Sequence, residues 1–418
     1  MDMIGADLAQ LDFYRPLPET AGELELGGTT VTPDDTNARV MAMFDADETL
    51  AAITILDGER PIGLLDRNAF IARFARPYAR ELYLNKTCTR FANEEVLVVE
   101  GDALIGDIGS QVAERGEITL AQGFVVVREG RFLGHCRGIT LMRALSELQG
   151  EQHKQLLSSI DYASTIQQAL LAESRTALAT GFTDAHALIW RPRDVVGGDC
   201  FFALDEAEGS LVGVIDCTGH GVPGALLTSI AISETNRLAA DPELRRSPGA
   251  LISALNRRVK AALQQHDQDG GFRDSDDGMD AIFMWLAKGA SKAILASAKL
   301  PMFVTDADGQ VQQLKGDRKG VGYRSTSADF AWSEQALELA PGRRLFLATD
   351  GVCDQIGEEK AIAYGWPRFR ATLAEAAARP LAEQSEHAFQ AFLAHQGRQA
   401  RRDDVTLIGL DLSPREAN

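Results

Sequence analysis

The stretch "LVGVIDCTGHGVPGALL", residues 211–227, reads as a buried strand that ends in Asp216 and then turns through Gly219, His220 and Gly221. Pro223 and Gly224 follow, and an Ala- and Leu-rich run begins that has the texture of a helix. A carboxylate at the mouth of a buried strand, against a turn without bulk, leaves room for a small charged ligand and a close main-chain approach. Taken alone, such an Asp beside Gly is an ordinary turn residue that caps its own backbone.

Other segments repeat the arrangement. "VVGGDCFF" carries Asp199, "LATDGVCDQ" Asp350, "RRDDVTLIGL" Asp403 and Asp404, and "DDGMDAIF" Asp276, Asp277 and Asp280. Carboxylates gathered in one pocket raise each other's pKa unless a cation neutralises them. Carboxylate, carbonyl and water oxygens are the ligands of hard divalent ions such as Mg²⁺ and Mn²⁺. No His/Cys spacing fits zinc.

Around these motifs, the short apolar runs "HALIWR", "SLVGVID", "AIFMWLA", "KAILASA" and "RRLFLATD" read as strands. Residues 222–239, 248–265 and two runs in the last sixty read as helices. Strands in the middle with clustered helices predict stacked sheets flanked by helices.

In order, "WRPRDVVGGD", "DCTGHGVPGA", "DGMD", "TDG" and "DDVTL" resemble the metal-dependent (PP2C-like, PPM) protein Ser/Thr phosphatases, and most of all their bacterial branch related to the sporulation phosphatase SpoIIE. The resemblance covers about residues 150–412. It implies an α-β-β-α sandwich and two Mn²⁺ or Mg²⁺ ions that activate water for in-line attack on a phosphate. It implies further that Asp216 bridges both ions, that the Cys217 backbone carbonyl ligates one, that Asp350 and Asp403 complete the other, and that Asp199 acts close to them. The variants "DCTGHGVPGA" and "TDGVCDQ" resemble phosphatases that act on small regulatory proteins of the anti-sigma-factor-antagonist type. Arg191 and Arg193 are candidates for the phosphate contact. His220 lies four residues after the metal aspartate, where the eukaryotic relatives carry a histidine at two, so a general acid and a turn histidine satisfied by its neighbours both stay open. "SAKLPMF" around Lys299 replaces a more usual Gly-Ala start, which alters the surface near the substrate and removes no ligand.

The first third holds an internal repeat. "ITILDGERPIGLLDRNAFIARF" from Ile53 recurs as "FVVVREGRFLGHCRGITLMRAL" from Phe124, with Gly63 matching Gly134 and Phe70 matching Leu141. Each copy reads strand, turn at Gly58 or Gly130, strand, helix. The pair resembles cystathionine-β-synthase (CBS) motifs, an α/β regulatory module that binds adenine nucleotides in many of its members. Asp66 and Ala69 in one copy, and Arg137 and Thr140 in the other, stand where the nucleotide-binding version has a Thr or Ser and then an Asp, so a nucleotide ligand and a purely dimerising pair are both open.

Between repeat and phosphatase-like region, residues 145–174 read as one helix with Leu156, Ile160, Ala163 and Leu170 on a stripe that Gln167 interrupts. It predicts a homodimer held through the CBS-like pair and this linker helix. The expected divisions are an extension at 1–29, the CBS-like pair at 30–146, a helical linker at 147–180, the phosphatase at 181–412 and a tail at 413–418.

Composition narrows the partners. A net charge of −18 opposes a nucleic-acid partner. No apolar run is long enough to span a bilayer, and "MDMIGADLAQ" has no secretory pattern. Five scattered cysteines (Cys88, Cys136, Cys200, Cys217 and Cys353) predict reduced thiols in a cytoplasm. Two other functions compete: a catalytically silent phosphatase fold that binds a partner, and a nucleotide cyclase, since "GGDCF" resembles the GGDEF signature.

Overall fold

A computed structural model describes residues 17–265, 276–358 and 361–414. The start "MDMIGADLAQ" and the last residues of the tail lie outside the described residues. The chain divides into two compact units, residues 1–157 and 158–418.

The first unit is a duplication. Its first half runs β1 (Thr30–Val31), α1 (Asn37–Ala46), β2 (Ala52–Asp57), β3 (Arg60–Asp66), α2 (Arg67–Phe74) and α3 (Ala79–Tyr83). The second runs β4 (Leu97–Glu100), α4 (Ile105–Arg115), α5 (Glu117–Gln122), β5 (Phe124–Arg128), β6 (Arg131–Cys136) and α6 (Gly138–Gly181). In each half a parallel strand pairs with the first arm of a hairpin, giving the sheets β1-β2-β3 and β4-β5-β6. The hairpin turns use Gly58 and Gly130 at φ 63° and 74°, the left-handed region that a tight hairpin requires and glycine adopts freely. Each hairpin also carries a register irregularity at the matching place, Ile55/Leu56 and Val126/Val127. Ala52 and Leu64 of one half pack with Val125 and Val127 of the other. The sequence repeat is therefore a repeat of topology.

The second unit is a two-sheet sandwich. One sheet is built from β8 (Asp199–Glu206), β9 (Gly209–Cys217), β10 (Met279–Ala287), β11 (Lys292–Ala298) and β14 (Glu334–Glu338), in the order β14-β11-β10-β9-β8. The other is built from β7 (His186–Arg191), β12 (Met302–Thr305), β13 (Val311–Leu314), β15 (Arg344–Ala348) and β16 (Val405–Asp411), in the order β13-β12-β15-β16-β7. All pairings in both are antiparallel. Along β15 and β16 the side chains alternate with period two. Leu345, Leu347, Ile408 and Leu410 fill the core between the sheets, while Phe346, Ala348, Val405 and Leu407 turn to a second core with the C-terminal helices.

Helices α7 (Gly221–Ala239), α8 (Pro242–Arg246) and α9 (Pro248–Leu263) cover the first sheet. The short α10 (Gly351–Asp354) follows β15, and α11 (Gly365–Glu375) and α12 (Leu381–Gln396) cover the second sheet. Pro248 at the start of α9 and Pro223 in the first turn of α7 sit where a missing N–H leaves no helical bond unmade. All five cysteines are free and buried. Among the described residues, no helix is long and apolar enough to cross a membrane.

Two expectations change in detail. The linker helix is longer than 145–174: α6 runs from Gly138 to Gly181 without a break, so the linker begins inside the segment assigned to the repeat. Gln167 does not interrupt the buried stripe. It is itself buried with Leu171, Ser174 and Leu178, while Leu156 is exposed.

Candidate metal centre

Strand register assembles the acidic cluster. Asp216 on β9 stands opposite Asp199 on β8 and opposite Asp280 on β10, so three neighbouring strands place aspartates in one row. Residues directly opposite in antiparallel strands project to the same face about 5 Å apart, and like charges in that position repel. From the other sheet, Asp350 follows the end of β15 and Asp403 and Asp404 precede the antiparallel β16, which brings them to the same end. The charges of Asp350 and Asp403, from the other sheet, act on the Asp216 carboxyl.

The cluster separates by burial. Asp199 and Asp404 are buried, whereas Asp216, Asp280, Asp350 and Asp403 are half-buried. The buried pair is engaged in holding the loop. Thr349 and Thr406 both donate their hydroxyls to Asp199 Oδ2, at 2.6 and 2.8 Å. Asp404 accepts the Arg193 N–H on Oδ1 and the Gly198 and Asp199 N–H groups on Oδ2, at 2.6, 2.6 and 3.3 Å. A Cβ at Gly198 would collide with the Gly219 carbonyl and lie 2.7 Å from the Cys217 carbonyl oxygen, so only glycine leaves that oxygen open.

Burial, then the charges of Asp199, Asp350, Asp280 and Asp403, hold the Asp216 carboxyl well above the usual carboxylate range. Burial, with Asp354 and Asp403, pushes Asp350 up to about 6. Burial likewise raises Asp199, against the pull of its Thr349 hydrogen bond, and raises Asp280, against the pull of Lys299. Among the described residues no group of three or more His, Cys, Asp or Glu side chains is drawn close enough together to hold a metal ion. The donor set nonetheless fits a hard divalent cation. It is all oxygen, and burial together with the neighbouring aspartate charges raises the Asp216 and Asp350 carboxyls, a strain that a bound cation would relieve.

The remaining candidates separate clearly. His220 Nδ1 lies 2.9 Å from Asp194 Oδ2, a contact that both a satisfied turn histidine and an oriented acid would make. The Arg193 guanidinium donates to the Arg402 carbonyl at 2.9 Å. Arg191 donates to the Trp190 carbonyl at 3.1 Å and lies over the Phe389 ring, 5.8 Å from its centroid. Neither arginine is in an ion pair with the aspartate cluster among the described residues.

Gln167 joins the site in a way its place in an apolar stripe does not announce. Its Nε2 donates to the Gly197 carbonyl at 2.7 Å and its Oε1 accepts the Gly197 N–H at 3.2 Å. One amide thus clamps both main-chain groups of the residue two before Asp199. The one available signal was a polar residue at an apolar position of a helical stripe. Gln167→Leu leaves both groups buried without this partner and should cost about 2 kcal/mol of stability, together with part of the activity. Chemical denaturation checks it: an unchanged midpoint would mean that the clamp contributes nothing.

A sandwich of two antiparallel sheets, flanked by helices and with carboxylates from both sheets at one end, is the architecture of the metal-dependent phosphatases. Residues 206–413 match the family described as Stage II sporulation protein E (SpoIIE). The SiaA-PP2C domain of Pseudomonas aeruginosa is 33% identical over 62% of this chain and 98% of that one, with a TM-score of 0.55. A structure of the PP2C phosphatase domain with a fragment of the regulatory domain of SpoIIE from Bacillus subtilis gives 14% identity, 56% and 64% coverage and a TM-score of 0.44. The RsbU and RsbW domains of a Mycobacterium tuberculosis protein give 20%, 56%, 60% and 0.43. No curated protein matches the chain. The chain belongs to the SpoIIE family of PP2C-type serine phosphatases and is a metal-dependent phosphatase. The nucleotide-cyclase reading falls with that, and "GGDCF" is the entry to β8 rather than a cyclase signature.

Proposed function

We propose that the chain hydrolyses phosphoserine or phosphothreonine on a bacterial regulatory protein of the anti-sigma-factor-antagonist type. The observation that carries the reading is the meeting of Asp216, Asp350 and Asp403 at one end of the sandwich, half-open and charged against one another. In this reading Asp216, the Cys217 carbonyl, Asp350 and Asp403 would hold the Mn²⁺ or Mg²⁺ ions. When bound, such ions supply an acidified water and a Lewis acid for phosphate oxygens. Asp199 positions rather than reacts, since its Oδ2 already accepts two hydroxyl protons. Asp404 and Gln167 fix the loop at 195–199, so that the Cys217 carbonyl and the row of aspartates are preorganised. The silent-binder reading is disfavoured because a pure binder has no use for mutually repelling carboxylates at a half-open site. The test is hydrolysis of an aryl phosphate and of a phosphoserine protein with and without Mn²⁺. Absence of turnover on both would overturn it.

In the same reading the N-terminal repeat acts as a CBS-like pair that dimerises the chain and controls the phosphatase through α6. Two observations support it. The helix continues unbroken to Gly181, and its Gln167 is bonded to the loop that carries Asp199. Leu156, Tyr162 and Ile166 are exposed along it, apolar positions that a second copy of the helix would cover. Asp66 accepts the Ala69 N–H at 2.8 Å as a helix cap, so a nucleotide is not needed to explain it. Inserting four Gly/Ser residues after Gln152 should change the hydrolysis rate several-fold while the dimer persists, because coupling of this kind is worth about 1–3 kcal/mol. Unchanged kinetics would make the helix a passive tether.

A further inference from the structure

In a chain of net charge −18, one cleft of the phosphatase unit is basic. It has a volume of about 330 Å³ and is lined by Lys299, Lys315 and Arg318, with Trp366 and Asp317 beside them. Backbone bonds build it. The Lys299 N–H donates to the Asp317 carbonyl at 2.7 Å, and the Asp317 N–H donates to the Ser297 carbonyl at 2.9 Å. These two bonds lay the segment of Lys315 and Arg318 along the turn between β11 and β12. Asp317 lines the cleft too, its Oδ2 accepting the Ser333 N–H at 2.7 Å, so three cationic side chains stand there against one carboxylate. Lys315 and Arg318 are exposed, and among the described residues neither head group is in an ion pair. Trp366 supplies an apolar wall, fixed by its ring contact with Phe303 at 5.2 Å.

Lys299 connects this cleft to the aspartates. Its Nζ lies 3.1 Å from Asp280 Oδ1 and 4.2 Å from the centre of the Tyr323 ring. Asp280 stands opposite Asp216 in the sheet. Lys299 holds this place at φ 66°, in the left-handed region that a side chain as large as lysine rarely occupies. The basic surface therefore runs from Lys315 and Arg318, through Lys299, to the edge of the metal centre.

We propose that this cleft docks an acidic segment flanking the phosphorylated residue of the substrate. Lys315 and Arg318 face its carboxylates, and Lys299 sits where that segment meets the phosphoryl group. The inference rests on the reading of the chain as a phosphoprotein phosphatase and adds the charge of the sequence it selects. A strongly acidic enzyme repels an acidic partner everywhere except where its own field reverses, and such a spot sets orientation and association rate.

The test uses the full chain and three phosphoserine peptides of equal length, with Glu, Gln or Lys flanking the phosphoserine. At low salt, kcat/KM should be about tenfold or more higher for the Glu peptide than for the Lys peptide, and the ratio should shrink as salt rises. Lys315→Glu/Arg318→Glu should invert the preference, and Lys315→Gln/Arg318→Gln should bring it near one. Because each ratio is taken within one enzyme, any change in the metal centre cancels. Fluorescence anisotropy of the same labelled peptides, with divalent ions chelated, should give the same order of affinities. Flank-blind hydrolysis and binding, or a preference unmoved by both variants, would overturn the proposal. So would variants that alter only inhibition by inorganic phosphate, since the cleft would then take the free anion. If neither the peptides nor an aryl phosphate were hydrolysed, the phosphatase reading itself would fail, and the anisotropy order would still decide the cleft.

Discussion

Asp216→Asn should lower Mn²⁺-dependent hydrolysis of an aryl phosphate by about a thousandfold or more, which corresponds to roughly 4 kcal/mol of barrier. Asp216 is the middle member of the row formed with Asp199 and Asp280, and the charges of Asp350 and Asp403 from the other sheet act on it. Its loss removes the member of the first sheet on which the charges of Asp350 and Asp403 bear. Asparagine keeps the shape and one oxygen and removes the charge. The fold should therefore survive. Without metal, the variant should melt at or above the wild-type temperature, since a carboxyl crowded by Asp199, Asp350, Asp280 and Asp403 is relieved rather than lost. Wild-type turnover in the variant would remove Asp216 from the centre. A metal-free variant that melts well below wild type would show that the residue serves the fold.

The second large effect is a reversal of pH dependence by metal. The Asp350 carboxyl is raised from 3.8 to about 6 in the folded protein, first by burial and then by Asp354 and Asp403. A group whose folded pKa is raised contributes stability that is fully present below its unfolded pKa and is lost as pH climbs through the folded value. Between about pH 4 and pH 7 this group alone withdraws on the order of 2–3 kcal/mol from the metal-free protein. The metal-free phosphatase unit should melt at a higher temperature at pH 5.5 than at pH 7.5. Millimolar Mn²⁺ should invert that order, because the ion binds the deprotonated carboxylates and stabilises the native state by mass action. Calorimetry of wild type and Asp350→Asn at both pH values checks it, and the variant should show a smaller pH difference. His135 in the other unit is buried with a lowered pKa and acts in the opposite sense, which is why the comparison with the variant decides. Equal pH dependence in the two proteins would count against Asp350.

The aspartates were legible because their chemistry and their place at strand ends coincide in the local sequence. What surrounds them was not. Thr349 and Thr406 meet on Asp199 from 150 and 207 residues away, a separation that no window along the chain can bridge. Asp403 and Asp404 are adjacent and chemically identical, and burial and backbone partners, not composition, divide them into an open carboxylate and a loop anchor. Gln167 was read as a flaw in an apolar stripe because periodicity counts a polar residue as a defect. Only the three-dimensional neighbour, Gly197, shows that the amide fills its position. The helices and strands of the sandwich followed their apolar patterns closely, while α6 outran its expected start because the repeat's own last helix continues into it.

The row of Asp199, Asp216 and Asp280 has a consequence for chains that fold wrongly. In a sheet, a one-residue slip turns every side chain of the strand to the opposite face. A copy with β9 misaligned by one residue would turn Asp216 to the other face, away from Asp199 and Asp280, and the proposed centre would lose it. Alignment errors in this protein are thus silent. With the proposed centre they would yield idle molecules, and the fraction able to take up metal would count the correctly aligned sheets.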